Sequence, residues 1–362
     1  MYRGCTIAAV VPAYNEEAHL GAVLETLPDF VDRVYVVDDG SEDDTWAVLE
    51  TYATVRVDVP AAADSSTGTT WPAALVDDRP RDDGMERVVD GGTGRRIVGI
   101  RHLENRGVGG AIKTGYRFAL HDDVDVTVVV SGDGQMHPTY LDRIVDPVID
   151  GRADYAKGTR FARPEHVASM SRWRRFGNRL LTYLTRVATG YWAIADPQNG
   201  YTAISAGMLA RIDLDRLYDR YGFLNDLLAE LSRRSARVVD VPHPAIYGDE
   251  RSGIRYTTFV PKLSWLLLTN FLGRLWRTAV RNPFDPAAVG YLLGGTGVAV
   301  SGISAAAILL GATVSVPMTP VWTVPAALVL GGMCIVVGLA VEARDGGRAE
   351  TTDGSAERRR EA

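Results

Sequence analysis

The chain has 362 residues, with 39 Lys and Arg against 45 Asp and Glu, a net charge of −6 and a pI near 5.6. That balance excludes a general nucleic-acid binder, which carries a basic footprint. Its two cysteines, Cys5 and Cys334, make no metal pattern, and Met1–Thr6 runs straight into a β-like segment instead of a signal peptide, so the front of the chain is expected in the cytosol.

In chain order, Ile7–Val11 predicts a strand and Glu16–Leu27 a helix. Val34–Val37 predicts a strand, Asp43–Tyr52 a helix with Thr45 in its first turn, Ile97–Ile100 a strand, Gly109–Leu120 a helix and Val124–Val130 a β-branched strand. Alternating strands and helices predict an α/β fold with a mostly parallel sheet covered by helices on both faces. Ligands of such sheets collect at the carboxyl ends of the strands. Pro60–Arg96 breaks the rhythm, being rich in Gly, Asp, Ala, Thr and Pro, and reads as a flexible insertion in a surface loop, with a substrate lid as the alternative.

From Phe259 the character changes. Phe259–Val280 mixes Trp265, Trp276 and Leu266–Leu268 with Lys262, Arg274 and Arg277, which suits a helix lying in a membrane interface over residues 257–283. Ala287–Ala312 and Val321–Val341 are uncharged and long enough to cross a bilayer, for which about 20 residues suffice. Arg274, Arg277 and Arg281 precede the first span, while Arg344, Arg348 and Arg358–Arg360 follow the second. The positive-inside rule therefore predicts a multi-pass protein of the cell membrane with both termini and the catalytic domain cytoplasmic. Residues 343–362 read as a disordered tail. Gly290 and Gly294 form a small-xxx-small pair suited to close approach of the two spans, or of two protomers in a homo-oligomer.

The polar motifs sit where strands end. The first strand runs into Pro12-Ala13-Tyr14-Asn15-Glu16, and the second into Val37-Asp38-Asp39-Gly40-Ser41 followed by Asp43. A carboxylate at such a strand end accepts hydrogen bonds from a base or a ribose, and the same residues also suit a helix cap. Asn105-Arg106-Gly107-Val108-Gly109-Gly110-Ala111 opens a helix; Arg106 and Lys113 are equally readable as partners for phosphate or as solvated cations. Val130 leads into Ser131-Gly132-Asp133-Gly134-Gln135-Met136-His137-Pro138, where a carboxylate and an amide oxygen two residues apart suit a hard divalent cation shared with a diphosphate.

Taken in this order, Pro-Ala-Tyr-Asn-Glu, Asp-Asp-Gly-Ser-x-Asp, Asn-x-Gly-x-Gly-x-Ala and Gly-Asp-Gly-Gln resemble the family 2 glycosyltransferases of GT-A (Rossmann-like) fold. Within them the likeness is to the dolichyl- or polyprenyl-phosphate sugar synthases. It covers residues 6–256 apart from 60–96. The resemblance implies an inverting enzyme moving a sugar from a UDP- or GDP-linked donor to a lipid-phosphate acceptor at the membrane, with Mg2+ or Mn2+. Other membrane-linked glycan acceptors, and a catalytically impaired membrane scaffold, remain open alternatives.

Position by position, the resemblance assigns Pro12, Tyr14, Glu16, Val37 and Asp39 to the nucleoside pocket, and Ser131, Gly132, Asp133 and Gln135 to the diphosphate-and-metal motif. Asp133 and Gln135 are the implied metal ligands. Ser131 departs from the first acidic residue of the family motif. Gly158-Thr159-Arg160-Phe161 matches a Gly-Ser-Arg-Phe/Tyr motif whose Arg faces phosphate. Asp196, Asn199 and Tyr201 match the acceptor-side loop, Asp226 the base or acceptor-positioning group, and Arg251 a donor-diphosphate contact. Asn225 and Gly253 are further departures. Helix capping is the competing reading of Asp226, and turn initiation that of Asp196.

Overall fold

The computed structural model describes residues 1–59, 95–161, 172–244, 256–309 and 323–358. Their contacts divide them into two compact units, one of Met1–Thr182 with Ile194–Leu266 and one of Tyr183–Ala193 with Leu267–Ala362.

The first unit is built on one eight-stranded sheet. Its strands are β1 (Ile7–Ala13), β2 (Arg33–Asp38), β3 (Val55–Val59), β4 (Arg96–His102), β5 (Val126–Val129), β6 (Tyr155–Thr159), β7 (Thr202–Ser205) and β8 (Val238–Pro242). They lie in the order β3-β4-β2-β1-β5-β7-β6-β8. β7 runs antiparallel to β5 and β6, and every other neighbouring pair is parallel. The expected mostly parallel α/β sheet is thus present. Strands buried on both faces read as unbroken apolar runs, and Ile7–Val11 are all 0% exposed.

Helices cover both faces. α1 (Leu20–Thr26), α2 (Thr45–Tyr52) and α4 (Leu141–Ile149) pack Leu20, Leu24, Leu49, Leu141 and Ile144 against Ala9, Val11, Val36 and Val128. On the other face α3 (Val108–His121) crosses β1 so closely that a Cβ on Gly115 would overlap Val10. α3 also sets Phe118 against Tyr35 of β2.

Several boundaries move from their sequence expectation for visible reasons. α1 begins at Leu20 and not at Glu16, because the Glu16 and Glu17 amides donate to Thr45 Oγ1 at 2.7 Å and Asp43 Oδ2 at 3.2 Å. α2 starts at Thr45, whose amide is capped by Asp43 Oδ1 at 3.0 Å. The insertion closes before Arg95. That guanidinium donates to the carbonyls of Leu27 and Pro28 at 2.9 and 2.8 Å, and Arg96 already belongs to β4. Residues 60–94 lie outside the described residues.

α5 (Arg172–Thr189) leaves the first unit and ends in the second. α6 (Ala206–Leu209) and α7 (Phe223–Arg233) belong to the first, and α8 (Tyr256–Arg281) passes from the first into the second. The second unit then holds α9 (Pro286–Leu309) and α10 (Thr323–Arg358). Each contains a stretch long and apolar enough to cross a membrane, Pro286–Ala307 with 22 residues and Val324–Arg344 with 21.

These two helices pack antiparallel on glycine. A Cβ on Gly294 would meet Ile335 Cγ1 at 2.5 Å and the Gly331 carbonyl at 2.6 Å, and one on Gly290 would meet the Cys334 carbonyl at 2.8 Å. Gly290 and Gly294 are therefore engaged within one chain. Residues 343–358, read from sequence as a disordered tail, continue α10 as helix, since extending a formed helix avoids the cost of a new nucleus. Arg274 of α8 pairs with Glu342 of α10, which also accepts from Tyr291 Oη of α9 at 2.6 Å.

Candidate active site

The parallel strands β1, β2, β4 and β5 end along one edge, and β6 points the same way. Because β7 is antiparallel, the segment entering it, Asp196–Tyr201, arrives at that same edge. The chain thereby brings its strand-end motifs together with residues from far along the sequence.

The first two motifs are cross-braced. The Asn15 amide donates to Ser41 Oγ at 3.0 Å and Asn15 Oδ1 accepts the Glu42 amide at 2.8 Å. Glu17 Oε2 accepts the Asp44 amide at 3.0 Å. Asn15 holds a positive φ of 57°, which Asn tolerates better than most residues. Pro12 and Glu16 are half-buried, Tyr14 is exposed, and Val37 is wholly buried inside β2.

Asp39 is 3% exposed and fully engaged. Oδ1 accepts the Arg106 amide at 2.9 Å and lies 2.7 Å from His102 Nδ1, while Oδ2 accepts the Gly107 amide at 2.7 Å. His102 Nε2 continues to Thr114 Oγ1 at 2.9 Å. Asp39 thus ties the glycine-rich turn to the strand ends. His102 belongs to none of the sequence motifs, and the fold buries it between Asp39 and Thr114. Lys113, one of the two cations weighed for phosphate, is buried, donates to the Leu217 carbonyl at 3.0 Å and pairs with Asp219 at 2.5 Å. Its charge is committed to the fold.

The third motif is the turn after β5. The Gly132 amide donates to the Pro12 carbonyl at 3.2 Å, joining this turn to the end of β1. Asp133 Oδ1 accepts the Gln135 amide at 2.9 Å, which fixes the carboxylate at the head of the turn. The Ser131 amide points to Met136 Sδ at 3.1 Å, and Tyr201 Oη donates to the His137 carbonyl at 3.2 Å. Among the described residues no three His, Cys, Asp or Glu side chains converge on one point. One carboxylate and one amide are hard oxygen donors that fit Mg2+ or Mn2+ when a diphosphate supplies further oxygens.

The fourth group surrounds Arg160. Its Nε and Nη2 donate to Asp196 Oδ2 and Oδ1 at 2.7 and 3.1 Å. Burial, the largest influence, pushes the Asp196 carboxyl up. The hydrogen bonds and charge of Arg160, with the charge of Lys157, outweigh it and hold the carboxyl below its ordinary range. Lys157, wholly buried on β6, donates to the carbonyls of Asp196 at 2.5 Å and Asn199 at 2.8 Å. Burial lowers its ammonium to about 8.

His243 Nδ1 lies 2.8 Å from the Pro244 carbonyl, so Nδ1 carries the proton and Nε2 accepts from Asn199 Nδ2 at 2.6 Å. Burial depresses His243, and the nearby Arg160 and Lys157 charges favour the same neutral form. Asn199 Oδ1 accepts the Tyr201 amide at 3.0 Å. Asn199 and Tyr201, placed on the acceptor side from sequence, are thus buried supports of this turn.

Asp226 stands in the first turn of α7 and accepts the Tyr218 amide at 3.0 Å. Its neighbour Asn225, a departure from the family pattern, accepts from Gln198 Nε2 at 2.8 Å and so ties α7 to the Asp196–Tyr201 turn. Arg251 lies outside the described residues.

The family model described as glycosyl transferase family 2 matches residues 8–60 and 61–212. The chain is 25% identical over 242 residues to the UDP-N-acetylglucosamine--dolichyl-phosphate N-acetylglucosaminyltransferase of Methanococcus voltae, covering 67% of this chain and 86% of that protein. It is 29% identical over 241 residues to the undecaprenyl-phosphate mannosyltransferase of Micrococcus luteus, covering 65% and 82%. The crystal structure of glucosyl-3-phosphoglycerate synthase from Mycobacterium tuberculosis with UDP superposes with a TM-score of 0.48 at 20% identity, over 74% of this chain and 80% of that one. The family match spans more than half of the residues and takes in every strand-end motif described above, so the chain belongs to glycosyl transferase family 2.

Proposed function

We propose that this glycosyltransferase moves a sugar from a nucleotide-sugar donor to a polyprenyl or dolichyl phosphate in the membrane, with inversion at the anomeric carbon. One observation carries the reading: the family 2 sheet and two span-length apolar helices occur in a single chain. Relatives named for dolichyl- and undecaprenyl-phosphate acceptors support the acceptor class.

In this reading the braced turns at the ends of β1 and β2 take the nucleoside, with Pro12, Tyr14 and Glu16 along its edge and Asp39 keeping the 105–107 turn in place. Ser131 and Gly132 line the diphosphate, and Arg251 is assigned to it from the motif alone. Asp133 and Gln135 would hold Mg2+ or Mn2+, which supplies Lewis-acid stabilisation of the leaving diphosphate. Arg160 adds positive charge there, its guanidinium plane set by Asp196.

The acceptor phosphate is already ionised at neutral pH and attacks the anomeric carbon from the face opposite the leaving group, so little general-base assistance is required. Asp226 acts by holding the segment that leads into α7 through the Tyr218 amide, beside Asn225, which ties α7 to the acceptor-side turn. Arginines before α9 and after the apolar part of α10 support, by the positive-inside rule, a cytoplasmic side for both termini and the catalytic unit.

The test uses full-length protein in lipid nanodiscs, a nucleotide sugar labelled in the sugar, and polyprenyl phosphate. Label should enter the organic phase only with divalent metal and lipid phosphate together. Transfer that ignores the lipid phosphate would refute the acceptor assignment.

A further inference from the structure

α5 shows three distinct faces. Thr182, Thr185, Ala188 and Thr189 are buried. Phe176, Leu180, Tyr183 and Leu184 are 57, 47, 44 and 41% exposed, and their i, i+4, i+7, i+8 spacing lines them along one stripe. Arg175, Arg179 and Arg186 follow one flank of that stripe. In sequence the helix opens with Arg172-Trp173-Arg174-Arg175.

A row of large apolar side chains with arginines along its edge is the pattern of a helix lying in a lipid headgroup layer. Water-facing helices do not sustain such a stripe at no cost. The surroundings of its last turns agree. Tyr183 and Leu184 join Leu272 of α8 and Leu292 of α9 around an apolar cavity of about 490 Å³. Arg274 of α8 donates to the Val187 and Ala188 carbonyls at 2.6 and 3.2 Å, tying the end of α5 to the helix that leads into α9. The last residues of the stripe, Tyr183 and Leu184, therefore share an apolar surface with the helices that carry the span-length stretches.

We infer that α5 is a membrane-seated helix whose partner is an anionic lipid leaflet, with its apolar stripe among the acyl chains and its arginines at the phosphates. This rests on the membrane placement proposed above. It adds that α5, which lies in sequence between Arg160 and Asp196, is itself in contact with lipid, so an acceptor is taken up sideways from the leaflet and not from solution.

The test labels Leu180→Cys with an environment-sensitive fluorophore in the full chain carrying Cys5→Ser and Cys334→Ala, reconstituted in phosphatidylcholine vesicles with or without phosphatidylglycerol. Val336→Cys on α10 and the exposed Thr139→Cys serve as references. The 180 probe should be quenched by lipids spin-labelled near the headgroup and shielded from iodide, while the 139 probe shows the reverse. Arg175→Gln and Arg179→Gln should each shift the lipid-bound equilibrium toward release by about fivefold in anionic vesicles, with little change in phosphatidylcholine.

Quenching of the 180 probe by iodide alone overturns the inference, and so does shielding from both quenchers, which would place a protein on the stripe. Arginine changes without effect in anionic vesicles would refute the choice of lipid. If the 336 probe also escapes quenching by lipids spin-labelled deep in the acyl chain, the membrane placement itself fails, which separates the two claims.

Discussion

Arg160 grips Asp196 through paired hydrogen bonds, Nε to Oδ2 at 2.7 Å and Nη2 to Oδ1 at 3.1 Å, with the carboxylate 1% exposed. The pair joins the end of β6 to the segment entering β7, so its loss should affect both stability and transfer. Removing one partner of a buried ion pair costs about 3–5 kcal/mol. Arg160 keeps some solvent contact, so Asp196→Ala is expected near the lower end, about 3 kcal/mol, by denaturant unfolding. The Asp196 carboxyl lies below its ordinary value of about 3.9, so its stabilisation is complete above that pH and is lost as pH falls through the folded-state value. Asp196→Asn should flatten the acid limb of the stability profile; an unchanged limb would contradict the assignment.

Lys157 acts with the same sign in an alkaline window. Burial lowers its ammonium to about 8, against about 10.4 for an unfolded lysine. Between those values the unfolded chain holds a proton that the folded chain has released, so this group makes stability rise with pH. The neutral amine still has two N–H groups for the two carbonyls it serves. Lys157→Met should remove the rise and weaken the Asp196–Asn199 turn, read as unfolding midpoints from pH 7 to 10.

Asp133 carries the metal proposal. Asp133→Ala should lower transfer at least about 100-fold, as expected when charge stabilisation of a leaving group is removed. Thermal unfolding should stay within a degree or two, because the carboxylate's bond to the Gln135 amide two residues on is local to its own turn. Substantial surviving transfer would remove Asp133 from the site.

His102 is expected to act through Asp39. His102→Ala leaves a buried carboxylate short of one donor, a loss of about 1–3 kcal/mol. The donor KM should rise while kcat with saturating donor changes little, and His102→Asn should recover part of the affinity. Equal falls in kcat and in stability, with KM unmoved, would mark His102 as purely structural.

The legible part of this protein was its front half. Parallel strands such as Ile7–Val11 are unbroken apolar runs, and their carboxyl ends carry Asp39 and Asp133, so period and motif pointed to one sheet edge. β3 was hidden because an edge strand reads Val-Arg-Val-Asp-Val. β6 was hidden because it buries Lys157 and Gly158 among its five residues. What Lys157, Asn199, Tyr201 and Asn225 do depends on partners about 30 to 60 residues away, beyond any local pattern. α5 was masked by Gly177 and three threonines, although its exposed stripe is plain once the helix is built.

The spans were legible from length and composition, but their packing was not. Gly294→Leu should separate α9 from α10, because even a Cβ there meets Ile335 and the Gly331 carbonyl. Overpacking of this kind costs about 1–3 kcal/mol and should lower the melting temperature in detergent. Gly295→Ala, at a glycine with nothing within 4 Å of its Cβ, is the matched control.

The most direct test of the account is the product itself. Full-length protein in nanodiscs, polyprenyl phosphate and a panel of UDP- and GDP-sugars should yield, with one donor, a lipid phosphate heavier by a single glycosyl unit in mass spectrometry. The product's anomeric configuration should be opposite to that of the donor, and Asp133→Ala should form it at least about 100-fold more slowly. Donor turnover that leaves the lipid phosphate unglycosylated across the whole panel would contradict the central claim.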